Sequence, residues 1–334
     1  MNLVRLNPDG SLDRSFFSIG SNNSISDLSV GPTGTIAVGG TFTHYGQNQS
    51  RGIELLRTDG NQVVGFNAGT GADGEVDAVL MQPDGKVVLG GSFKKIDNRE
   101  RTAIARFSSE GIVDYTFRSE ITDGLVRDLE FDQSGGIIVG GWLKTSDQEF
   151  LLVRLTPNGR IDPCFVPLAG EGHVQSIGVQ GDGKIVATGS FLVNGDIQTL
   201  IRLFPDGSID SSFRVQPDRN DSTALAVNRD SNALVMAGFF KTVDNLPGSI
   251  LTRLITREST NLPTLELKNR VCRDGDLIRL TLWGKPGSEY GVQRSIDLAT
   301  WEDWSTGNLA ISMIFLTDSF DRSGPQQFYR LKPN

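Results

Sequence analysis

Arg5–Phe16 reads RLNPDGSLDRSF, and the same words return as RLTPNGRIDPCF at Arg154–Phe165 and RLFPDGSIDSSF at Arg202–Phe213. A peptide that recurs is architecture before it is chemistry. Its arginine position falls at Arg5, Leu55, Arg106, Arg154, Arg202 and Arg253, a period of roughly 50 residues. A second motif alternates with it: MQPDGKVVLGGSF at Met81–Phe93, with copies starting at Val30, Phe131, Val179 and Val227. Each period therefore holds two tight turns and four short strands, the pattern of a β-propeller blade. A helical solenoid of this period would need a 3.6-residue apolar spacing, and segments such as GKVVLGG are too short to carry one.

In the first motif Pro8 presets φ, Asp9 suits the second loop position and Gly10 supplies a left-handed third, giving a three-residue hairpin with a bulge. That register sets Asn7 opposite Ser11, Leu6 opposite Leu12 and Arg5 opposite Asp13. The copies repeat the pair as Arg106 with Asp114, Arg154 with Asp162 and Arg202 with Asp210. Where Leu55 replaces the arginine, Val63 replaces the aspartate, as a contact predicts. The expectation is an exposed ion pair of roughly 0.2–1 kcal/mol. Asn7, Asp9 and Asp13 partly match the calcium loops of integrin-type propellers, but Arg5 stands where that motif wants a carboxylate, so no metal is expected.

These motifs resemble the delta-60 repeat family of bacterial β-propellers, whose signature reads like QPDGK-I-V-x-GG-x-F followed by R-L-N-P-D-G-S-L-D-x-x-F. The resemblance covers about residues 1–255. It implies a propeller fold and a secreted or cell-surface address, and it brings no catalytic residues or cofactor.

The expected architecture is all-β: a five-bladed β-propeller of four-stranded blades over residues 1–258, then a small antiparallel β-sandwich over 263–334. Grouping the strands leaves Leu3–Asn7 as an unpaired strand, which either closes the ring or marks the chain as the C-terminal part of a longer array. Segments LIRLTLWG, EYGVQRSID, SMIFLTDS and QFYRLKP suggest the sandwich. The run YGVQRSIDLATWEDW, ending in QQFYRL, resembles a C-terminal module of secreted bacterial proteins, with Gln327 in place of its first arginine. Trp283, Trp301 and Trp304 cluster there and read as core rather than as a sugar platform.

Because antiparallel strands put alternate connections at opposite ends, the uniform turns share one face and the variable loops the other, where function is expected. Aligning the inner strands places Ser26, Asp77, Arg127, Gln175 and Thr223 in a ring at the channel mouth, a candidate site for a small polar ligand. Strand alternation turns Asp27 and Asp128 away from Asp77, which disfavours a carboxylate pair for glycoside hydrolysis. Trp142, where other copies carry Ser, Thr or Phe, is either an inter-blade packing residue or a stacking surface.

The net charge of −8 and the lack of a basic stripe disfavour nucleic acid. The longest apolar run, Ala233–Phe240, falls far short of a membrane span of about 20 residues. Two histidines, His44 and His173, and two cysteines, Cys164 and Cys272, leave little for a zinc site or a thiol nucleophile. The cysteines read as buried apolar residues rather than a disulfide. The resulting expectation is a non-enzymatic binding or scaffolding module that meets a protein or glycan on its loop face. The alternative is a carbohydrate-active hydrolase with carboxylates at the channel mouth.

Overall fold

The computed structural model describes residues 3–332 except 194, 216, 218–221, 230–232, 244–245, 248–250, 256–264, 275–276, 285–288, 298, 309–312 and 320–326. At 222–223, 246–247, 255, 265–274, 277–279, 281, 283–284, 313–315, 317 and 319 it describes the backbone alone. The side chains of Thr223, Cys272 and Trp283 therefore lie outside the described residues. Every regular element described is a strand.

The repeats fold into five three-stranded antiparallel sheets. The first is Ile25–Val30, Ile36–Gly40 and Ile53–Leu56; the second is Val76–Met81, Val87–Gly91 and Ile104–Phe107. The third is Asp123–Phe131, Ile137–Lys144 and Glu149–Leu155; the fourth is Gly172–Val179, Ile185–Val193 and Asp196–Leu203. The fifth is Ser222–Asn228, Ala233–Gly238 and Leu251–Ile255. In each the second strand of the chain lies in the middle, with the first strand on one edge and the third on the other.

The first motif adopts the register its turn residues dictate. Asn7 N–H donates to Ser11 O at 2.8 Å, Asp13 N–H to Arg5 O at 2.9 Å, and Gly10 takes φ +83°. The expected fourth strand, however, shrinks to a single bridge in each repeat, as in Leu6 with Leu12, Phe107 with Val113 and Leu203 with Ile209. In four of the five copies the motif aspartate holds the curl, and the copy with Val63 in its place keeps a single bridge too, Leu56 with Gln62. Asp13 Oδ1 accepts the Ser15 N–H, Asp114 that of Thr116, Asp162 that of Cys164 and Asp210 that of Ser212. This side-chain turn curls the backbone just where a strand would have to stay extended.

Successive sheets pack face to face, with apolar clusters between first and second, second and third, third and fourth, and fourth and fifth. The GG pair of the second motif makes the close approach possible. A Cβ built on Gly39 would lie 2.6 Å from Val79 Cγ1, and one on Gly140 would lie 2.6 Å from Ile177 Cδ1. The first three sheets thus each offer a glycine socket to a branched side chain of the next, and in the fourth Thr188 stands at that position. The outer faces of the end sheets lack such cover: Val79 and Leu129 are 2% and 4% exposed, whereas Leu28, at the same position of the first sheet, is 46% exposed. At the other end Leu251 is 63% exposed, while its counterpart Leu200 is fully buried.

The C-terminal segment forms two further antiparallel sheets, one of Leu265–Asp274, Leu277–Gly284 and Met313–Ser319, the other of Glu302–Asn308, Glu289–Ser295 and Phe328–Leu331. Trp304 meets Tyr329 edge-on at 5.3 Å and the Arg330 guanidinium sits 4.0 Å over Trp301, so both rings are engaged by the chain itself. One expectation is corrected: Cys164 is disulfide-bonded as well as buried. The sequence offers one other cysteine, Cys272. Separation along the chain said nothing about separation in space.

Candidate functional site

The first strands of all five sheets line one cavity of about 520 Å3. Its geometry rests on a fault shared by every repeat. Pairing with the middle strand slips between Ile25 and Asp27, Val76 and Ala78, Val126 and Asp128, Val174 and Ser176, and Ser222 and Ala224. The residue skipped in each case is Ser26, Asp77, Arg127, Gln175 or Thr223, the ring aligned from sequence. All five are the extra residue of a β-bulge, a device that re-aims side chains next to functional sites.

The bulge also overturns the alternation argument made from sequence. Asp27 and Asp128 do not turn away; they face the same cavity as Ser26, Asp77, Arg127 and Gln175, joined one step deeper by Glu130. The site is therefore rich in carboxylates. Thr223 has no described side chain, and Ala224 and Leu225 complete the wall on the fifth sheet.

Most of these acids have partners. Asp27 Oδ1 accepts the Leu28 N–H at 2.7 Å, and its Oδ2 accepts the Val79 N–H of the next sheet at 2.8 Å. Asp128 repeats the arrangement between third and fourth sheets, taking the Leu129 N–H at 2.8 Å, the Ile177 N–H at 2.7 Å and the Ser176 hydroxyl at 2.9 Å. Asp77 Oδ1 lies 3.4 Å from Arg127 Nη1, while Asp77 Oδ2 is buried with no hydrogen-bond partner. Glu130 Oε2 meets Arg229 of the fifth sheet's turn at 3.2 Å.

Burial dominates the titration here. It pushes Asp27 up despite its two backbone donors, and Asp77 up despite Arg127. Glu130 is raised by burial against the pull of Arg229. Asp128 moves furthest, to about 7, through burial and then the nearby Asp27 charge, against the donors at Ile177 and Ser176. The Asp128 carboxyl thus holds its proton to a higher pH than an ordinary aspartate does. Among the described residues no three His, Cys, Asp or Glu side chains are grouped to hold a metal ion.

The motif ion pairs stand apart from this cavity, and they are more than surface pairs. Arg5 Nε lies 2.8 Å from Asp13 Oδ2, Arg106 Nη2 2.9 Å from Asp114, Arg154 Nε 2.9 Å from Asp162 and Arg202 Nη2 2.8 Å from Asp210. Each guanidinium also stacks on the motif's closing phenylalanine, at 4.6–5.0 Å for Arg202 over Phe213 and Arg154 over Phe165. Arg106 and Arg154 reach on to carbonyls of the following repeat, Pro157 at 2.6 Å and Pro205 at 3.2 Å. Arg5 makes the same reach, to Thr58 O, yet its side chain stays 40% exposed, whereas Arg154, which also meets Asp132 at 3.1 Å, is 1% exposed. In the three later copies a largely buried pair replaces the exposed one expected from sequence, which the Arg5–Asp13 pair keeps. In the first repeat Leu55 and Val63 fill the corresponding space with apolar packing.

Trp142 lies at the exposed end of the third sheet, opposite Leu125, and its indole N–H donates to Glu149 Oε2 at 3.3 Å. It is 37% exposed and is held by its own hairpin. Two features had no sequence signal strong enough to find them: the bulge, and the reach of Asp27 and Asp128 into the next sheet. The recurrence of acceptor side chains one place after the ring, Asp27, Asp128 and Ser176, was the available clue.

Among solved structures the chain is similar to a protein of unknown function from Bacteroides caccae, at 13% identity and TM-score 0.44, covering 70% of this chain and 78% of that one. It is also similar to the extracellular domain of a putative one component system from B. thetaiotaomicron, at 10% identity and TM-score 0.36, covering 92% and 49%. An exo-β-1,3-galactanase from Phanerochaete chrysosporium matches at 9% identity and TM-score 0.36, covering 98% and 94%. No curated protein matches the sequence. Residues 1–16, 82–117, 133–165 and 180–213 match the family described as a domain of unknown function (DUF5122) beta-propeller, and with the all-β sheets these matches support a bacterial β-propeller family for the repeat region.

Proposed function

We propose that this chain is a non-enzymatic binding module, a five-bladed propeller of delta-60 type followed by a small sandwich, which takes a polar ligand at the bulge-built channel mouth. The observation that carries this reading is the use made of the channel carboxylates. Asp27 and Asp128 spend both oxygens on backbone N–H groups, and Asp77 pairs with Arg127. A general base or nucleophile needs a free oxygen aimed at substrate. What stays open for a ligand is the outer ring of Ser26, Arg127 and Gln175; Asp77 Oδ2 has no partner but is buried.

The disulfide at Cys164 supports an exported address, since such bonds persist in oxidising compartments. Hydrolysis of a glycan is the second reading, favoured by one observation: Asp128, near 7, beside the carboxylates of Asp27 and Glu130. A panel of polysaccharides and aryl glycosides separates the two. The binding reading expects saturable binding without turnover, with binding lost in Arg127→Ala. Hydrolysis abolished by Asp128→Asn would replace it.

A further inference from the structure

Arg5, Arg106, Arg154 and Arg202 each hold a motif aspartate, yet three other arginines of the second repeat hold none. Arg99, Arg101 and Arg118 converge beside Tyr115 at the edge of a groove of about 590 Å3, bounded by the third strand of the second sheet and the segment entering the third. The Arg99 and Arg101 guanidiniums lie 4.9 and 5.0 Å from the Tyr115 ring centroid. Among the described residues no carboxylate pairs with any of the three. Arg101 Nη1 donates to Glu100 O at 2.9 Å and Arg118 Nε to Tyr115 O at 3.4 Å, while Arg101 Nε is buried without a partner. The Glu100 carboxylate itself turns to Lys95, at 3.5 Å.

Repeat geometry does not demand this charge. The first repeat has the same groove, about 640 Å3, with Asn48 in the place of Arg99, Ser50 for Arg101, Val64 for Tyr115 and Asn67 for Arg118. Three like charges gathered here repel one another, with the Tyr115 ring and no carboxylate among the described residues to offset it. Stacking on an aromatic face holds a guanidinium flat and leaves its N–H edge free for a planar oxyanion.

We propose that this groove binds a carboxylate-bearing sugar, a uronic acid residue of an acidic glycan. Its carboxylate would pair with the fork of Arg101 and Arg118, a bidentate geometry suited to carboxylates. Thr102, Ser119 and Thr122 line the same groove; the Ser119 hydroxyl accepts the Ile121 N–H and keeps its proton to donate, and the Thr122 hydroxyl donates to Lys144 O and keeps its oxygen to accept from the sugar's own hydroxyl groups. The overall negative charge disfavours an extended polyanion such as nucleic acid, which would meet repulsion beyond the groove. The site is separate from the channel and stands or falls independently of it.

The test is calorimetric titration of the full chain with oligogalacturonate, its methyl ester, a neutral oligosaccharide, a sulfated oligosaccharide and poly-glutamate. Oligogalacturonate should bind and its methyl ester should not, with affinity falling about tenfold or more between roughly 50 and 300 mM salt. Arg101→Gln and Arg118→Gln should each weaken binding about tenfold or more, Tyr115→Ala likewise, and Tyr115→Phe should restore it. Arg57→Gln, on the uniform-turn side, should leave it unchanged. Circular dichroism checks that each variant is folded. Absence of oligogalacturonate binding, equal or better binding of poly-glutamate or the sulfated sugar, or indifference to Arg101→Gln and Arg118→Gln would each overturn the proposal.

Discussion

Asp27, in the first strand of the first sheet, accepts the backbone N–H of Val79 in the first strand of the second, at 2.8 Å. The inner edges of the second, fourth and fifth sheets are answered in this way by Asp27, Asp128 and Ser176 of the preceding sheet, while Ala78 stands at that position in the second sheet. Asp27→Ala should leave the Val79 N–H unsatisfied in a half-buried site and cost about 1–3 kcal/mol, read from the urea midpoint. A change below about 0.5 kcal/mol would mean that the contact contributes no stability.

Asp128 sets a pH dependence. Its carboxyl is pushed to about 7 in the folded chain, by burial first, and returns to about 3.9 on unfolding. The folded form therefore binds the extra proton. Its contribution is fully present below about pH 4 and is lost as pH rises through about 7, a fall on the order of 2–4 kcal/mol. Urea midpoints at several pH values should decline across that window in the wild type and be flatter in Asp128→Asn. Asp27 and Glu130, also raised by burial, should leave a residual slope of the same sign.

Arg106 and Asp114 form a pair that the protein has already exchanged once, as Leu55 and Val63. Asp114→Val alone strands a buried guanidinium and should cost about 3–5 kcal/mol. Adding Arg106→Leu should recover about 1–3 kcal/mol of that loss. A double-mutant cycle measures the coupling; strict additivity would contradict the contact.

Leu28 and Val79 occupy the same position on adjacent sheets with opposite exposure. Val79→Ser should destabilise by about 2–4 kcal/mol, because it empties the Gly39 socket. Leu28→Ser should change stability by less than about 0.5 kcal/mol and reduce self-association in sedimentation, since it removes uncovered apolar surface.

The hairpins were legible because Pro8, Asp9 and Gly10 each restrict φ in a way that admits one turn, and because Leu55 and Val63 changed together. The channel was half legible. Alignment found Ser26, Asp77, Arg127 and Gln175, but the two-residue pleat then misdirected Asp27 and Asp128, since a bulge is a property of the paired backbone that no single residue type announces. The fourth strand failed for a related reason: Asp13 is as compatible with a strand pair to Arg5 as with capping Ser15 N–H, and the structure makes it do both. The Cys164 disulfide was not legible because it depends on a distance in space that periodicity does not encode.

The reach of Arg154 to the Pro205 carbonyl is a latch cast in one repeat and closed on the next. Cohesion is therefore serial: each seam is held by what the earlier unit carries, with Gly140 receiving Ile177 and Asp128 receiving the Ile177 N–H at the same joint. A damaged unit opens the seams on either side of it and leaves the others closed. Duplicating one unit would likewise require only two seams to match, so a chain of this kind can gain or shed repeats without redrawing its interior.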